Sequence, residues 1–290
     1  MSSTNAHSTD AHSASAHSMT ARSTSSRLPH GPLVGMVHLR ALPGSPSHAL
    51  APSKIVDVAV AEARLLADAG FDALIVENMH DRPYLANAGG ADTVATFAVA
   101  VAAVTAAVRI PVGVQVLSGA TSAALAIAHA AGGSFIRAEG FVFASVADEG
   151  LLAEACAGPL LRERRRIGAD GVRIMADIRK KHSSHAITAD LDGAAWARAA
   201  QFFGADGVIV TGSETGAAVD MRELAAVRTA TTLPVLVGSG ATPHSAAALL
   251  EHADALIVGS ALKRDGLWSN EIDPARAEAM VRAARGAGAR

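Results

Sequence analysis

Eight short apolar segments, each followed by a longer alanine-rich segment with a helical pattern, recur along the chain. They are continuous apolar runs rather than alternating ones, which predicts strands of a parallel sheet covered on both faces. Eight such units close a barrel, whereas an open doubly wound sheet usually has about six strands. The chain is therefore predicted to form a single α/β domain, a (β/α)8 TIM barrel. The predicted strands begin near Leu33, Ala73, Val112, Ser134, Val172, Gly207, Pro234 and Ala255.

An internal repeat supports this count. The peptide Gly70–Val76 resembles Gly204–Val210 and His252–Val258, and each copy ends a helix, turns at an aspartate and enters a strand. Repetition of one β/α unit is what a barrel of this kind requires. The predicted helices are Ser53–Ala69, Asp92–Val108, Thr121–Ala131, Pro159–Ile167, Thr188–Phe203, Asp220–Thr229, Pro243–Glu251 and Pro274–Arg285.

The N-terminal segment differs from the rest of the chain. Residues 1 to about 30 are rich in Ser, Ala, Thr and His. Such a composition buries too little apolar surface to offset the entropy lost when a chain becomes ordered. We therefore expect this tail to be disordered and assign the barrel to residues 31–290.

Composition narrows the class of partner. The net charge of −2 argues against a strongly basic nucleic-acid binder. The single cysteine, Cys156, excludes an intrachain disulfide and favours a reducing, cytoplasmic location. The longest apolar candidate for a transmembrane segment, Val94–Val108, is too short to span a membrane. These totals therefore disfavour a nucleic-acid partner and a membrane span.

Polar and ionisable residues are concentrated where the predicted strands end, and the loops at those ends carry the active site of a TIM barrel. Carboxylates brought together there have raised pKa values and can act as general bases, while lysine and histidine stabilise negative charge or transfer protons. We expect Glu77, Asp177 and Lys181 to share one cavity. The candidate catalytic residues are His38, Glu77, Glu139, Asp177, Lys181 and His182, and the candidate ligand-binding residues are Asn78, Gln115, Arg137, Thr211, Gly212 and Ser213.

The last two strand ends predict a phosphate site. Gly238-Ser239-Gly240 forms a turn that leads to Thr242 as a predicted helix N-cap, with Pro243 at the first helical position. Glycines allow the backbone to approach an anion closely, and free N–H groups at a helix start point toward it. TIM barrels often bind phosphate between the loops after strands 7 and 8, where Gly259 and Ser260 supply the second wall.

Three further points concern a metal ion, a Schiff-base mechanism and a run of arginines. Glu77, His80 and Asp177 have the chemistry to hold a divalent cation, but their spacing is not a ligand signature, so no cofactor is assigned. A Schiff-base mechanism is disfavoured because no predicted strand body contains a lysine. The arginine run 162–166 is interpreted as a solvated helix face or as a contact in a homo-oligomer.

Taken in order, these motifs resemble the BtpA/SgcQ family. The resemblance spans Leu33 to Trp268 and implies a TIM-type barrel; the family is linked to photosystem I biogenesis and to sugar metabolism. It is carried by Gly35-Met36-Val37-His38-Leu39, Leu42-Pro43-Gly44, Val76-Glu77-Asn78, Asp177 with Lys181-His182, Gly212-Ser213 and Gly238-Ser239-Gly240.

Two hypotheses on function follow. The first is an enzyme that acts on a small phosphorylated metabolite, such as a sugar phosphate, by acid/base isomerase, epimerase or lyase chemistry. The second is a non-enzymatic accessory factor in the biogenesis of a photosystem or another membrane complex. The ionisable strand ends favour the enzyme, because a scaffold needs no carboxylates, lysine and histidine in one cavity.

Overall fold

The strands of the chain close into a barrel. The computed structural model describes Met1 and residues 31–86, 89–212 and 214–287, so apart from Met1 the predicted disordered tail lies outside the described residues. Its barrel strands are β1 (Leu33–His38), β2 (Ala73–Glu77), β3 (Val112–Gln115), β4 (Phe135–Ala138), β5 (Arg173–Ile178), β6 (Gly207–Val210), β7 (Val235–Val237) and β8 (Ala255–Val258). Within the described residues these eight parallel strands close in the order β1-β8-β7-β6-β5-β4-β3-β2, which confirms the TIM barrel.

Helices cover the outside of the barrel. Predicted and observed ends differ by a residue or two for most of them, as is usual for helix termini. The eight α-helices of the described chain are α1 (Pro52–Ala69), α2 (Ala91–Ala107), α3 (Thr121–Ala131), α4 (Ala157–Arg166), α5 (Gly193–Phe202), α6 (Met221–Ala230), α7 (Ala246–Leu250) and α8 (Pro274–Ala287).

Two predicted helices begin later than expected. The segment from Thr188 is a short 3-10 turn followed by α5, whose start is set by Asp192 accepting a hydrogen bond from the Ala195 N–H at 2.7 Å. Thr242 is not the N-cap of α7. Its hydroxyl accepts from the Ser245 N–H at 3.2 Å and closes a separate turn, so the helix starts only at Ala246.

Two apolar layers stabilise the barrel. The larger lies between the strands and the helices, and includes Leu33, Val37 and Phe97. The smaller fills the barrel interior, where β1 contributes Val34 and Met36. Residues two apart on one strand share a face, so the strand sequence itself divides its side chains between the two layers.

A short antiparallel sheet was missed by the sequence reading. Strands Ser145–Ala147 and Gly150–Leu152 form a hairpin between β4 and α4, and Ser183–Ser184 pairs with the first of them. Strands of two or three residues are too short to show a periodic pattern. The hairpin connects the loop after β4 to the loop after β5.

One carboxylate contacts both the first strand and the last helix of the barrel. Asp72 lies just before β2, at the end of the barrel where the strands begin. It accepts a hydrogen bond from the Leu33 N–H at 3.0 Å and from Arg285 of α8 at 2.6 Å. The first strand and the last helix are therefore held at one point.

Among the described residues, no helix combines the length and apolar character that crossing a membrane requires.

Candidate active site

The parity of the strands places polar residues inside the mouth of the barrel. On β1 the inward-facing series Val34 and Met36 continues to His38, and on β2 the series Ala73 and Ile75 continues to Glu77. The ladder pairs His38 with Glu77, so their ends lie at one level. The same step of two along the other strands reaches Gln115, Arg137, Asp177, Thr211, Gly238 and Gly259.

One cavity of about 370 Å³ opens at these strand ends. Ionisable side chains form one part of its wall and glycine-rich backbone forms another. The lining that matters for chemistry comprises His38, Glu77, Arg137, Lys181, Gly238, Ser239, Gly240, Ala241, Thr242, Gly259, Ser260, Ala261 and Arg276. Glu77 and Lys181 thus share one cavity, as expected.

His38 and Glu77 form a buried pair, with 3.6 Å between Nε2 and Oε2. Burial, reinforced by the positive charge of Lys263, lowers the pKa of His38 to about 3, so the ring is neutral. Its Nδ1 lies 3.3 Å from the carbonyl oxygen of Trp268, an acceptor, so Nδ1 carries the proton. The lone pair of Nε2 therefore faces the carboxyl group.

Burial also raises the pKa of Glu77, while Lys181 and Arg137 partly offset this effect. The pKa of Lys181 is lowered by burial and then by Arg137. A carboxyl and an ammonium whose pKa values move toward each other suit a base and its electrostatic partner near neutral pH.

Asp177 does not line the cavity, contrary to our expectation. Its Oδ2 accepts a hydrogen bond from Arg137 Nε at 3.0 Å, and Arg137 Nη2 lies 2.9 Å from the same oxygen. Both side chains are at most 2% exposed. Arg137 lines the cavity and is bound by Asp177, so this carboxylate positions Arg137.

The two neighbouring lysines have different roles in the structure. Lys181 enters the cavity, whereas Lys180 Nζ lies 2.8 Å from Glu139 Oε2 and 3.3 Å from Glu149 Oε2 of the hairpin. Gln115 donates to the other oxygen of Glu139 at 3.0 Å. Glu139 is therefore paired and does not line the cavity, although sequence reasoning named it as catalytic.

His182 lies outside the cavity wall. Its Nε2 is 2.9 Å from the Thr215 hydroxyl and accepts a hydrogen bond from the Thr215 N–H at 3.2 Å. The side chain is 41% exposed, and Nδ1 lies 3.9 Å from Asp148. This placement suits a loop contact at the rim better than proton transfer inside.

Two ligand-binding candidates hold loops together instead. Asn78 accepts from the Leu117 N–H at 2.8 Å and donates to Asp81 at 2.9 Å. The Gly212 N–H donates to the Ser239 hydroxyl at 2.7 Å. Neither residue lines the 370 Å³ cavity.

Thr211 lies with Gly212 in the wall of a different cavity, of about 510 Å³, beside the loops after β5 and β6. It is buried, and its hydroxyl has no hydrogen-bond partner in the described part of the chain. Ser213 lies outside the described residues.

Backbone geometry explains the glycine loops. Gly240 has φ +71°, and a Cβ there would collide with the carbonyl oxygen of Ala217, so glycine is required for the turn itself. Among the described residues, none accepts a hydrogen bond from the backbone N–H groups of Gly240, Ala241, Ser260 or Ala261. Four free donors therefore lie along this part of the cavity.

Sequence reasoning missed Arg276. This residue lies in the first turn of α8 and lines the cavity beside the glycine loops. Its side chain is 44% exposed and reaches no closer than 3.9 Å to the carboxylate of Asp273. Because it belongs to a helix rather than a strand end, the strand pattern carries no signal for it.

The three residues considered for a metal site are separated. Glu77 faces His38, Asp177 binds Arg137, and His80 packs against Trp268 with 5.0 Å between ring centroids. The described residues contain no group of three His, Cys, Asp or Glu side chains arranged to hold a metal ion. The geometry gives no donor set for the cation that sequence analysis left open.

Sequence comparison finds relatives over most of the chain. The uncharacterized mitochondrial protein F13E9.13 of Caenorhabditis elegans is 42% identical over 258 residues, which span 84% of this chain and 90% of that protein. The photosystem I biogenesis protein BtpA of Synechocystis sp. is 35% identical over 255 residues, 88% of each chain.

Solved structures share the fold. Thiamine phosphate pyrophosphorylase from Pyrococcus furiosus superposes with a TM-score of 0.57 at 12% identity, covering 88% of this chain and 96% of that one. At this identity the likeness concerns the barrel alone. The profile of the BtpA family matches residues 29–286, and the chain belongs to this family.

Proposed function

We propose that the protein is an enzyme that binds a small phosphorylated metabolite and transfers protons on it, as an isomerase, epimerase or lyase does. One observation carries the proposal. The same cavity contains free backbone N–H donors and Arg276 on one part of its wall, and on another part a buried base, Glu77, with the cations Lys181 and Arg137. A phosphate suits the donors, and a carbon acid suits the base.

Each part of the site has a chemical role in this proposal. The N–H groups of Gly240, Ala241, Ser260 and Ala261 and the Arg276 guanidinium hold the phosphate and fix the substrate. Ionised Glu77 removes a proton from a carbon next to a carbonyl group and later returns it. Lys181 and Arg137 stabilise the oxyanion that develops. His38 stays neutral and keeps its Nε2 lone pair toward the Glu77 carboxyl group, 3.6 Å away.

Arg276 provides the direct test of phosphate binding. We expect Arg276→Gln to weaken binding of inorganic phosphate about tenfold or more, because a charge-assisted hydrogen bond is lost. Isothermal titration measures this affinity. Arg282→Gln is the matched control, since Arg282 lies on the same helix, is 69% exposed and pairs with Glu278. Equal affinity in Arg276→Gln and Arg282→Gln would contradict the phosphate assignment.

Substitution of Gly240 is unsuitable for this purpose. Any side chain there meets the Ala217 carbonyl and requires a positive φ, so a loss of binding would report a distorted loop rather than a blocked site.

The pH dependence of kcat/KM should be bell-shaped and narrow. Activity requires ionised Glu77, so it falls as the pH decreases through a pKa that burial has raised above the usual carboxyl value. It also requires protonated Lys181, so it falls as the pH increases through a pKa lowered below the usual lysine value. Neutral His38 adds no limb in this range. We expect Lys181→Arg to move the alkaline limb upward; an unchanged limb would exclude Lys181 as its source.

The alternative is an accessory role in membrane-complex biogenesis, which the name of the Synechocystis relative favours. A scaffold would function without Glu77 and Lys181. Complementation of a strain that lacks the gene separates the two functions. Variants of these two residues would restore a scaffold function but not an enzymatic one.

A further inference from the structure

A second pocket, of about 230 Å³, lies beside the candidate active site on the loops after β1 and β2. Its wall includes Arg40, His80 and Arg82, and none of its described lining residues is Asp or Glu. We call the site formed by these three residues the arginine pocket.

Trp268, in the loop after β8, holds this group in place. The Arg82 guanidinium lies over the indole ring, 4.6 Å from its centroid, and the His80 ring packs on it at 5.0 Å. Arg40 Nη1 donates to the carbonyl oxygen of Ser269 at 3.2 Å. Both guanidinium groups are therefore positioned by contacts that leave most of their N–H donors free.

Within the described part of the chain, neither Arg40 nor Arg82 forms an ion pair with a carboxylate. Asp81 adjoins His80 and Arg82 in sequence, but its oxygens accept hydrogen bonds from the Leu42 N–H at 2.7 Å and from Asn78 at 2.9 Å. Burial and the charges of Arg40, Lys263 and Arg82 lower the pKa of His80 to about 4. Arg40 and Arg82 thus bring two positive charges to the wall of one pocket, and an anion bound there would be attracted by both.

We propose that the arginine pocket is a second anion site, in which Arg40 and Arg82 bind a phosphate or carboxylate group. Planar guanidinium groups match the geometry of both anions. This proposal does not depend on the proposed function, because the residues of the two sites are different. The anionic group belongs either to the far end of the substrate or to a separate small molecule.

The pocket also contacts the active site through one residue. The carbonyl oxygen of Trp268 accepts from His38 Nδ1, while its ring carries Arg82. Trp268 is therefore a built-in reporter. The sequence contains one other tryptophan, Trp196, which is 3% exposed and packs against Phe143 at 4.8 Å.

The test uses Trp196→Phe protein, so that the fluorescence comes from Trp268 alone. We expect titration with inorganic phosphate, at ionic strength held constant with chloride, to give a saturable change in emission as Arg82 leaves the ring. Arg40→Gln and Arg82→Gln should each weaken this response about tenfold or more. Arg264→Gln is the matched control, because Arg264 is exposed in the same loop as Trp268.

The outcomes separate the two sites. A Trp268 response that survives Arg40→Gln and Arg82→Gln but is lost in Arg276→Gln would overturn the proposal, because the signal would then come from the active-site cavity. No saturable response in the Trp196→Phe protein would also overturn it. If Arg276→Gln leaves cavity binding intact while Arg40→Gln abolishes the Trp268 response, the proposed function fails and the arginine pocket stands.

A sugar bisphosphate distinguishes the source of the anion. If one molecule spans both sites, the bisphosphate binds more tightly than inorganic phosphate, and either Arg276→Gln or Arg40→Gln weakens it. If the pocket binds a separate molecule, only the arginine-pocket variants change the Trp268 response. Both results support an anion site at Arg40 and Arg82.

Discussion

Glu77→Gln is expected to slow proton transfer about 100- to 10 000-fold, the usual contribution of a positioned general base. The amide has nearly the same size as the carboxyl group but accepts no proton at neutral pH. Phosphate affinity should remain, because Glu77 is not among the phosphate-binding groups. The measurement is proton NMR of a panel of sugar phosphates in D2O, in which a general base exchanges the hydrogen next to the carbonyl group for deuterium.

Stability is the internal control for this variant. Burial raises the pKa of Glu77, so its ionised form is disfavoured in the folded state, and a neutral amide should cost the fold little. Glu163→Gln on α4, a partner of Arg166 that does not line the cavity, is the matched control for activity. Deuterium exchange at the wild-type rate in Glu77→Gln would remove Glu77 from the mechanism.

Glu62→Ala is expected to lower the free energy of unfolding by about 3 to 5 kcal/mol, the usual effect of breaking one partner of a buried ion pair. Lys263 Nζ donates to Oε1 and Oε2 of Glu62 at 2.8 and 3.0 Å, and its side chain is only 2% exposed. Without Glu62 the ammonium stays buried and unpaired, or it loses its proton at a similar cost. Urea denaturation measures the loss.

A double variant separates the pair from the packing around it. Glu62→Leu combined with Lys263→Met removes both charges and should recover most of the stability lost in Glu62→Ala. Asp57→Asn, which breaks the exposed pair with Lys54, should change stability by less than about 1 kcal/mol. If the Glu62 and Asp57 variants lose the same amount, the buried pair has no special role.

The barrel could be predicted because its signals are local. Each strand is a short apolar run, and all eight begin within one residue of the predicted position. The period of two along a strand also extends the buried series of β1 to His38 and that of β2 to Glu77. The strand pattern therefore locates the mouth of the barrel before any contact is known.

Contacts between distant parts of the chain could not be predicted in this way. Nothing local distinguishes Lys180 from Lys181, yet one binds Glu139 and the other enters the cavity. Asp177 ends its strand at a position that suits a base, but its carboxylate accepts a hydrogen bond from Arg137 on the neighbouring strand. These roles depend on which side chains of neighbouring strands face one another.

The residues missed altogether lie away from strand ends. Arg276 is on a helix, and Trp268 reaches the site from a long loop after β8. The hairpin after β4 is too short for a pattern, although it supplies Glu149 to Lys180. Such contributions come from connections, whose course a single sequence does not define.

The junction at Asp72 has a consequence for engineering. Since Leu33 and Arg285 bind the same carboxylate, a short linker could join the end of α8 to the start of β1, and new termini could be opened in another loop as a circular permutant. A surface tether attached near either residue would lie on the side away from the cavity. An immobilised barrel would therefore keep its mouth open to the solution.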